Sequence, residues 1–460
     1  MSELKQALRG RELFTLAFGT IIGVGWITVL GHWLGNAGSL GAILAFVAGA
    51  MLVLTVGLCY AEVASMMPAA GGEVVYARRT FGPAAGFAAG WVLSLIYISV
   101  VAFEAISVGW ISTVLIPGIE GPLLYRAFGA DVHLGNVLIG FAGMVVIGYM
   151  NYRGARAAAV FQLLMTLALL LISVAFITVG LAGGDPANLR PLYAGATVSE
   201  ALAGATAVFV TTPFWFAGFN VLPQAAGETA PDVSMRRVGL VIVLSILGAA
   251  VFYVLVILAS SMTLPRGELL AFELPAAAAF RAAFDSPLLG NLVLLAGLLG
   301  LITTWNAVVF SAARVLLALS RAGELPVGIG VIHARYGTPG RAILFVTCVA
   351  ALLMLLGRGA IGIIVNTVGA CFALMFLTVA AVVIRLRIRE PAWDRPYRAP
   401  GGLIVPVLAA LFAVSMLGVS LWEHSNAASG FPAEWIVLVT WALLGLLFRA
   451  ASSTRRGSVK

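Results

Sequence analysis

The sequence predicts an all-α membrane protein with twelve transmembrane helices in a single domain that covers residues 1–460. The first observation is composition: 61% of the residues are hydrophobic and only 10% are charged, whereas a soluble domain carries roughly 25% charged residues. The second is spacing. Runs nearly free of charge, each near the ~20 residues that cross a bilayer, begin at about residues 13, 40, 84, 134, 158, 200, 238, 289, 342, 360, 402 and 433.

The distribution of charge predicts the orientation of these spans. If both termini are cytoplasmic, the internal segments hold all but five of the 27 lysines and arginines, as the positive-inside rule requires. The five on the outside are Arg126, Arg190, Arg266, Arg281 and Arg358. We therefore predict a multi-pass protein of the inner (cytoplasmic) membrane. The net charge of +8 follows from this topology and indicates no nucleic acid partner.

The sequence offers little to support an enzyme or a metal protein. Cys59, Cys348 and Cys371 lie within predicted spans and lack the spacing of a metal site, so we expect no metal and no cofactor. No nucleophile has a base near it in the sequence, and no HExxH motif occurs.

The predicted partners are a small-molecule substrate and the lipids of the membrane, and the protein is expected to be a monomer or a homodimer.

The first span contains three glycines in the stretch GTIIGVGWITVL, residues 19–30. Each glycine inside a helix costs about 1 kcal/mol relative to alanine. Gly19 and Gly23 form a GxxxG pattern, and taken alone this stretch favours close helix packing. The alternative is that the helix is interrupted here and exposes its backbone.

The sixth span favours that alternative. In TTPFWFAGFNVLPQAAGE, residues 211–228, Pro213 and Pro223 bracket Gly218 and the polar Asn220, and proline removes a helical donor. The two unusual spans lie five spans apart. This spacing predicts an inverted repeat, with residues of about 13–182 and about 200–385 as the two halves and about 402–450 as two extra helices. Broken helices in corresponding positions are typical of a transporter's binding site.

Four stretches together resemble the amino acid, polyamine and organocation (APC) transporter superfamily, whose members have the leucine-transporter fold. IIGVGWI (Ile21 to Ile27) is similar to the family's IGxGIF. LCYAEVASMMPAAGGEVVYARRTFG (58–82) is similar to its YAEL, proline, GG and FG pattern. FWFAGFN followed by Glu228, and GLITTWNAVVFSAARVLLALSRAGELP (300–326), complete a resemblance that covers nearly the whole chain.

The resemblance implies a permease that moves a small amino acid across the membrane by alternating access. Backbone donors freed at Gly23, Val24 and Gly25 would hold a carboxylate. Carbonyls near Phe214, Phe216 and Ala217 would hold an ammonium group. The resembling transporters place an aromatic gate at the position of Phe214. The predicted substrate-binding residues are Ile22, Gly23, Val24, Gly25, Trp26, Glu104, Phe214, Phe216, Ala217, Gly218 and Asn220.

Three positions depart from the family's pattern. Trp26 stands where relatives often have isoleucine, so we expect a large ring to line or crowd the site and the substrate to be small. Asn220 stands where many relatives have an acidic residue. Leu169 stands where proton-coupled members have a lysine. Exchange, or a proton carried by another group, is therefore favoured over the lysine mechanism.

Two sites are candidates for coupling. Glu104 lies within the third span, where a carboxylate is costly, and we expect it either to face a cationic substrate group or to carry the coupled proton. A protonated structural acid is the alternative. The hydroxyls of Thr303 and Thr304 could coordinate sodium or bond across helices, and we favour protons or exchange over sodium.

Other functions stay open at this stage. The main alternative is a transporter of an organic cation or amine, such as a polyamine or ethanolamine, that uses Glu104 as counter-charge. A non-transporting substrate sensor and a channel are two further classes.

Near the cytoplasmic helix ends, Glu62 and Glu228 are expected to pair with arginines and close an inner gate; the candidate partners are Arg78, Arg79, Arg236 and Arg237.

Overall fold

The computed structural model describes residues 4–272, 274–425 and 433–457. In the first half of the chain the helices are α1 (Gly10–Ile21), α2 (Gly25–Thr28), α3 (Leu30–Met66), α4 (Glu73–Phe81), α5 (Pro83–Leu115), α6 (Leu134–Arg153), α7 (Ala155–Gly183), α8 (Val198–Phe209), α9 (Thr212–Phe216) and α10 (Val221–Ala225). In the second half they are α11 (Met235–Thr263), α12 (Arg266–Leu269), α13 (Pro275–Ala283), α14 (Pro287–Arg321), α15 (Gly340–Met354), α16 (Ile361–Arg389), α17 (Ile404–Ser425) and α18 (Ala433–Gly457). Short 3₁₀ turns lie at Pro186–Leu189, Ala226–Glu228, Val327–Gly330 and Arg358–Ala360.

The chain is a mostly helical, multi-pass membrane protein. Within the described residues, eight helical segments are long and apolar enough to cross a bilayer, and Gly340–Met354 and Ile404–Ser420 are shorter apolar helices. The first predicted span is divided into α1, α2 and the beginning of α3, whose backbone leaves the helical conformation at Gly38 (φ 75°, ψ 177°); α1 and α2 are separately too short to cross. Every predicted run coincides with a helix or with helical pieces separated by an interruption, while the twelve crossings and the inverted repeat stay predictions.

Both unusual spans are interrupted where their sequences predict. The first helix ends at Ile21 and resumes at Gly25, and the second interruption separates Phe216 from Val221. Gly218 lies in the second gap with a φ of 133°, a conformation that glycine adopts at little cost. A Cβ there would lie 2.8 Å from the backbone N of Ile21. Glycine thus allows the two interruptions to touch.

Long helices hold the interrupted segments in place. Helix α3 packs along α11, and α5 packs along α14. A chain of buried amides crosses this scaffold: Asn151 donates to Asn306 (2.9 Å), Asn306 donates to Gln162 (2.8 Å), and Gln162 donates to the Thr15 carbonyl (3.2 Å). These bonds tie α6, α14 and α7 to α1, and such bonds across helices satisfy polar groups away from water.

One element corrects the all-α prediction. Residues Leu123–Ala127 (β1) and Ala130–His133 (β2) form an antiparallel hairpin between α5 and α6. Phe128 and Gly129 make its two-residue turn with φ values of 48° and 76°, and positive φ at both positions is the turn geometry that suits the twist of paired strands. The hairpin is too short to produce a clear alternating pattern in the sequence.

Candidate functional site

The two interruptions open onto one cavity. Helix α1, α2 and the segment between them contribute Thr20, Ile21, Gly23, Val24 and Gly25 to its wall. The second interrupted segment contributes Phe214, Trp215, Ala217, Gly218, Asn220 and Val221. The remaining wall comes from α5, α11, α14 and α16, through Tyr97, Val100, Phe103, Glu104, Tyr253, Thr304, Val308, Ile364, Val365, Val368 and Phe372.

The first interruption leaves backbone donors free. The Gly23 N–H donates to the Ile21 carbonyl (3.0 Å), whereas the N–H groups of Val24, Gly25 and Trp26 donate no backbone hydrogen bond within the described residues. Buried backbone N–H groups are almost always paired. Free donors gathered beside a cavity are suited to an anionic ligand group.

The second interruption leaves acceptors free. The Phe214 carbonyl accepts from the Ala217 N–H at 3.2 Å. In the part of the chain that the structure describes, the carbonyls of Phe216 and Ala217 accept no hydrogen bond. Carbonyl oxygens without donors can hold an ammonium group. The two interruptions therefore offer the two kinds of group that an α-amino acid requires.

Tyr253 joins the two interruptions. Its hydroxyl lies 3.1 Å from the Ile21 carbonyl and 3.1 Å from the Trp215 carbonyl, and its one proton can serve one of them at a time. Tyr253 is not among the binding residues that the sequence predicts. Tyr253 lies in an ordinary apolar span with no motif around it, so only its position against both breaks distinguishes it.

Asn220 stabilises the shape of the second interruption. Its side-chain oxygen accepts from the Gly218 N–H (3.1 Å), and its side-chain nitrogen donates to the Tyr97 hydroxyl (3.0 Å). The residue is buried. An amide can accept and donate at the same time, whereas an ionised carboxylate can only accept. Asparagine at this position therefore matches both of its neighbours.

Glu104 presents a buried carboxyl to the cavity. The residue is only 3% exposed, and its Oε2 atom has no hydrogen-bond partner among the described residues. Val100 and Phe103 are its neighbours in the cavity wall. A buried carboxyl without a partner is costly, which is the observation that separates it from a satisfied structural acid.

The structure brings together eight of the predicted binding residues and leaves three outside the cavity wall. Those in the wall are Gly23, Val24, Gly25, Glu104, Phe214, Ala217, Gly218 and Asn220. The side chain of Trp26 is fully buried and packs edge-on against Phe176 and Phe252, with ring centroids 5.4 and 5.8 Å away. Ile22 and Phe216 are likewise buried outside the wall.

The expectation that Trp26 crowds the site is therefore corrected. The indole beside the first interruption belongs instead to Trp215, whose ring lies against Gly25 so closely that an added Cβ would be 2.5 Å from Cζ3. A helical pattern does not predict which way a side chain points next to a break, because the turn before it no longer fixes its direction.

The threonines of α14 bond across helices. Thr303 donates to the Gly19 carbonyl (2.8 Å), and Thr304 donates to the Thr20 carbonyl (3.2 Å). Both hydroxyls also lie within 3.0 Å of the Gly300 carbonyl. Their positions agree with the second of the two roles considered for them, which is to join α14 to α1. These carbonyl oxygens already accept hydrogen bonds from the threonine hydroxyls, so they do not require a cation to be satisfied.

The predicted gate pairs have different partners. Glu228 is paired with Arg314, through distances of 2.6 and 3.2 Å, and both side chains are fully buried. Glu62 is paired with Arg387 and with Arg395 (3.2 Å). The predicted partners Arg78 and Arg79 pair with Glu324 and Glu390 instead. The prediction was wrong because closeness in the sequence does not show which helix ends meet.

The amino-terminal segment closes over the Glu228 pair. The N–H groups of Ala7 and Leu8 donate to the Glu228 carbonyl (2.9 and 3.0 Å), and the Ala230 N–H donates to the Leu8 carbonyl (2.8 Å). Residues before α1 are thereby attached to the end of the second interrupted segment. This face of the bundle is called the amino-terminal face below.

A helical membrane protein whose ligand cavity lies between two interrupted helices has the architecture of a secondary transporter. The chain belongs to the Amino acid permease family, whose model matches residues 8–446. This membership confirms the resemblance to the APC superfamily, and it places the chain among transporters and not enzymes.

Several characterised proteins are similar over most of their length. The chain is 28% identical to the branched-chain amino acid permease BcaP of Bacillus subtilis, covering 96% of this chain and 92% of that one. It is 25% identical to the methylthioribose transporter of the same organism, with the same coverage. It is 28% identical to the human large neutral amino acids transporter small subunit 2, covering 88% and 74%.

Proposed function

We propose that this protein is a secondary active permease that moves an amino acid across the cytoplasmic membrane by alternating access, with both termini in the cytoplasm. One observation carries the proposal. Val24 and Gly25, whose N–H groups are free, line the same cavity as Ala217, whose carbonyl is free. An α-amino acid satisfies both sets at once, because it carries a carboxylate and an ammonium group.

In this proposal the substrate completes the backbone of both helices. Its carboxylate accepts from the N–H groups of Val24 and Gly25, and its ammonium group donates to the carbonyl of Ala217. Trp26 and Phe216 lie outside the cavity wall and take no direct part in this contact. Giving a hydrogen-bond partner to a buried donor or acceptor that lacks one is favourable. This gain contributes to the affinity for the substrate.

The rest of the cavity favours an apolar side chain. Seven of the eleven wall residues beyond the interruptions are apolar: Val100, Phe103, Val308, Ile364, Val365, Val368 and Phe372. Two of the similar proteins are named as transporters of branched-chain and of large neutral amino acids. Substrates with such side chains would suit this wall. Phe214 packs edge-on against Trp215 with a centroid separation of 4.9 Å, and we assign it the role of the lid over the substrate.

A second candidate substrate class follows from Glu104. Its unpartnered Oε2 atom in the cavity wall could hold a cationic group, and an amine without a carboxylate would then bind through Glu104 and the carbonyls of the second interruption. A polyamine or ethanolamine is such a molecule. This alternative leaves the free N–H groups of the first interruption unpaired, and for that reason we place it second.

The test is a thermal-shift measurement with matched ligand pairs. Purified protein is heated with valine or isobutylamine, and with leucine or isoamylamine, each at one concentration. A ligand that binds only the folded protein at 100 times its Kd stabilises it by about 2.7 kcal/mol. We expect the amino acids to raise the melting temperature and the decarboxylated amines to leave it unchanged. Stabilisation by the amines alone would instead support the organic-cation alternative.

Transport is tested separately from binding. Proteoliposomes loaded with unlabelled substrate should take up the labelled amino acid by counterflow, as a carrier does. Binding without counterflow would identify a sensor, and flux far above carrier turnover would identify a channel.

A further inference from the structure

A second group of buried polar side chains lies near the amino-terminal face, apart from the cavity wall. It consists of Tyr60 from α3, Glu73 and Tyr76 from α4, and Gln224 from α10. All four residues are fully buried. We call them the Glu73 cluster. None of the four was a predicted site residue, and none lines the substrate cavity.

The cluster contains hydrogen-bonding atoms that lack partners. Gln224 donates from Nε2 to the Oε2 atom of Glu73. Within the described residues, four other buried atoms of the cluster lack a hydrogen bond of ordinary geometry: Oε1 of Glu73, Oε1 of Gln224, and the hydroxyls of Tyr60 and Tyr76. The Tyr60 hydroxyl nevertheless lies near enough to the Glu73 carboxyl to lower its pKa. Buried polar groups are normally satisfied, so each exception requires an explanation.

A protonated carboxyl explains two of the four. A carboxylic acid and a primary amide can form a cyclic pair with two hydrogen bonds, because each has one donor and one acceptor side by side. With a proton on Oε1, Glu73 would donate to the unpaired Oε1 of Gln224 while Gln224 donates to Oε2. Without that proton, Oε1 of Glu73 and Oε1 of Gln224 are both acceptors, so neither can satisfy the other.

Two glycines bring Glu73 to this position. Gly71 and Gly72 precede α4 with φ values of 102° and 40°, a region that other residues rarely adopt. A Cβ at Gly72 would lie 2.7 Å from Nε2 of Gln224 and 2.8 Å from Cβ of Pro223. The glycines therefore allow α4 to begin directly against the second interrupted segment.

The charged groups around Glu73 have partners of their own. On α4 itself, Arg78 pairs with Glu324 and Arg79 with Glu390; on α3 and α16, Glu62 pairs with Arg387; on α14, Arg314 pairs with Glu228; and Arg385 of α16 lies over the Phe81 ring. The titratable groups that face Glu73 are the tyrosines Tyr60, Tyr76 and Tyr97, which are neutral near pH 7.

Burial determines the protonation of Glu73 in this setting. Loss of hydration raises its pKa from 4.5 to about 7, against smaller opposing effects of its own backbone, Tyr60 and Gln224. The carboxyl therefore changes charge near physiological pH, in a place where its proton decides whether Gln224 is fully bonded.

The cluster is connected to the substrate site through α10. Asn220 precedes α10, and Gln224 lies about one turn further on the same helix. Asn220 bonds both Gly218 in the interruption and Tyr97 in the cavity wall. A shift of α10 that opens the Gln224 contact would therefore change the shape of the interruption.

We propose that Glu73 binds and releases the proton that is coupled to transport, with Gln224 as the group that senses its protonation. This inference rests on the proposed amino acid transport. The protonated carboxyl holds α10 through the cyclic pair and keeps the amino-terminal face closed. Loss of the proton to water removes the donor of the second hydrogen bond, which weakens the contact and favours opening.

The decisive variant is Glu73→Gln. Glutamine has the shape of a protonated glutamic acid and can form the same cyclic pair with Gln224, so we expect the protein to fold. If one proton is transported with each substrate molecule, a pH gradient of one unit across the proteoliposome membrane can drive about tenfold accumulation of the substrate inside. We expect the wild type to accumulate the amino acid in a pH gradient, and Glu73→Gln to retain counterflow but to reach only equal concentrations on the two sides.

Two control variants separate this role from other causes. Tyr76→Phe removes a hydroxyl of the cluster but keeps the carboxyl, and it should retain accumulation. Glu104→Gln removes the buried carboxyl of the cavity wall and should change substrate affinity, but at saturating substrate its ratio of accumulation to counterflow should match that of the wild type. Loss of accumulation in Glu104→Gln together with its retention in Glu73→Gln would overturn the proposal and assign the proton to Glu104.

The remaining outcomes are also distinct. Absence of counterflow in the wild type would refute the proposed transport function itself. Counterflow without accumulation in the wild type, or accumulation in Glu73→Gln, would refute only the role of Glu73. If Glu73→Gln lacks counterflow, a pH-sensitive dye follows the protons exchanged when substrate is added to detergent-solubilised protein. Proton exchange equal to that of the wild type would then overturn the proposal.

Discussion

At the scale of single residues, the two glycines of the first interruption have different surroundings. A Cβ added to Gly23 would lie 3.6 Å from Oγ1 of Thr304, which is an ordinary contact. A Cβ added to Gly25 would enter the ring of Trp215. The sequence predicts that both glycines expose backbone, but their tolerance of a side chain depends on which residue lies opposite.

This difference gives a prediction with a matched pair of variants. Gly25→Ala should displace Trp215 or the backbone and weaken amino acid binding at least about tenfold, which is about 1.4 kcal/mol. Gly23→Ala should bind nearly as the wild type does. Isothermal titration of purified protein measures both. Equal losses in the two variants would contradict the assigned contact between Gly25 and Trp215.

The buried carboxyl of Glu73 also predicts how stability depends on pH. Its pKa is raised in the folded protein from 4.5 to about 7, so the folded state binds the proton more tightly than the unfolded state does. Stability should therefore fall as pH rises from about 4.5 to about 7, by roughly 3 kcal/mol from this group alone. Over this pH range, the melting temperature of Glu73→Gln should depend less on pH than that of the wild type. An unchanged slope would show that the carboxyl titrates normally.

At the scale of elements, the second interrupted segment is held at its end by a buried ion pair. Arg314 of α14 and Glu228 are both fully buried and are joined by two hydrogen bonds. Two desolvated charges contribute little net stability as a pair, but removal of one leaves the other without compensation. The pair thus determines how α10 and α14 meet more than it determines how stable they are.

The corresponding prediction is a pattern among three variants. Arg314→Met should lower stability by about 3–5 kcal/mol because it leaves the Glu228 carboxylate buried and unpaired. The double variant Arg314→Met with Glu228→Leu should recover much of the loss. The control is Arg126→Gln, which breaks the exposed Arg126–Asp131 pair of the hairpin and should have little effect. Thermal unfolding measures all four proteins, and a double variant no better than Arg314→Met would contradict the argument.

At the scale of the whole molecule, the orientation in the membrane is still a prediction from charge. It is tested by cysteine labelling in a background without Cys59, Cys348 and Cys371. Phe128→Cys, at the 56% exposed tip of the hairpin, should react with a membrane-impermeant maleimide in intact cells. Lys5→Cys should react only after the membrane is opened. The reverse pattern would invert the predicted topology.

Much of the fold and part of the site were accessible from the sequence, and the reasons are physical. Long apolar runs must form helices in a bilayer because no water is present to satisfy the backbone, so their positions are visible along the chain. The interruptions are visible as well, since Pro213, Gly218 and Pro223 restrict the backbone locally. The hairpin was missed because four or five residues are too few for a reliable pattern.

What the sequence by itself determined is therefore local: which segments are helical and apolar, where two of them break, and to which family the motifs belong. Only the tertiary structure decided which groups meet. It turned Trp26 away from the cavity, brought Tyr253 to both interruptions, paired Glu228 with Arg314, and set Glu73 against Gln224. Each of these depends on contacts between residues far apart in the chain, and packing in three dimensions, which no local pattern records, selects such contacts.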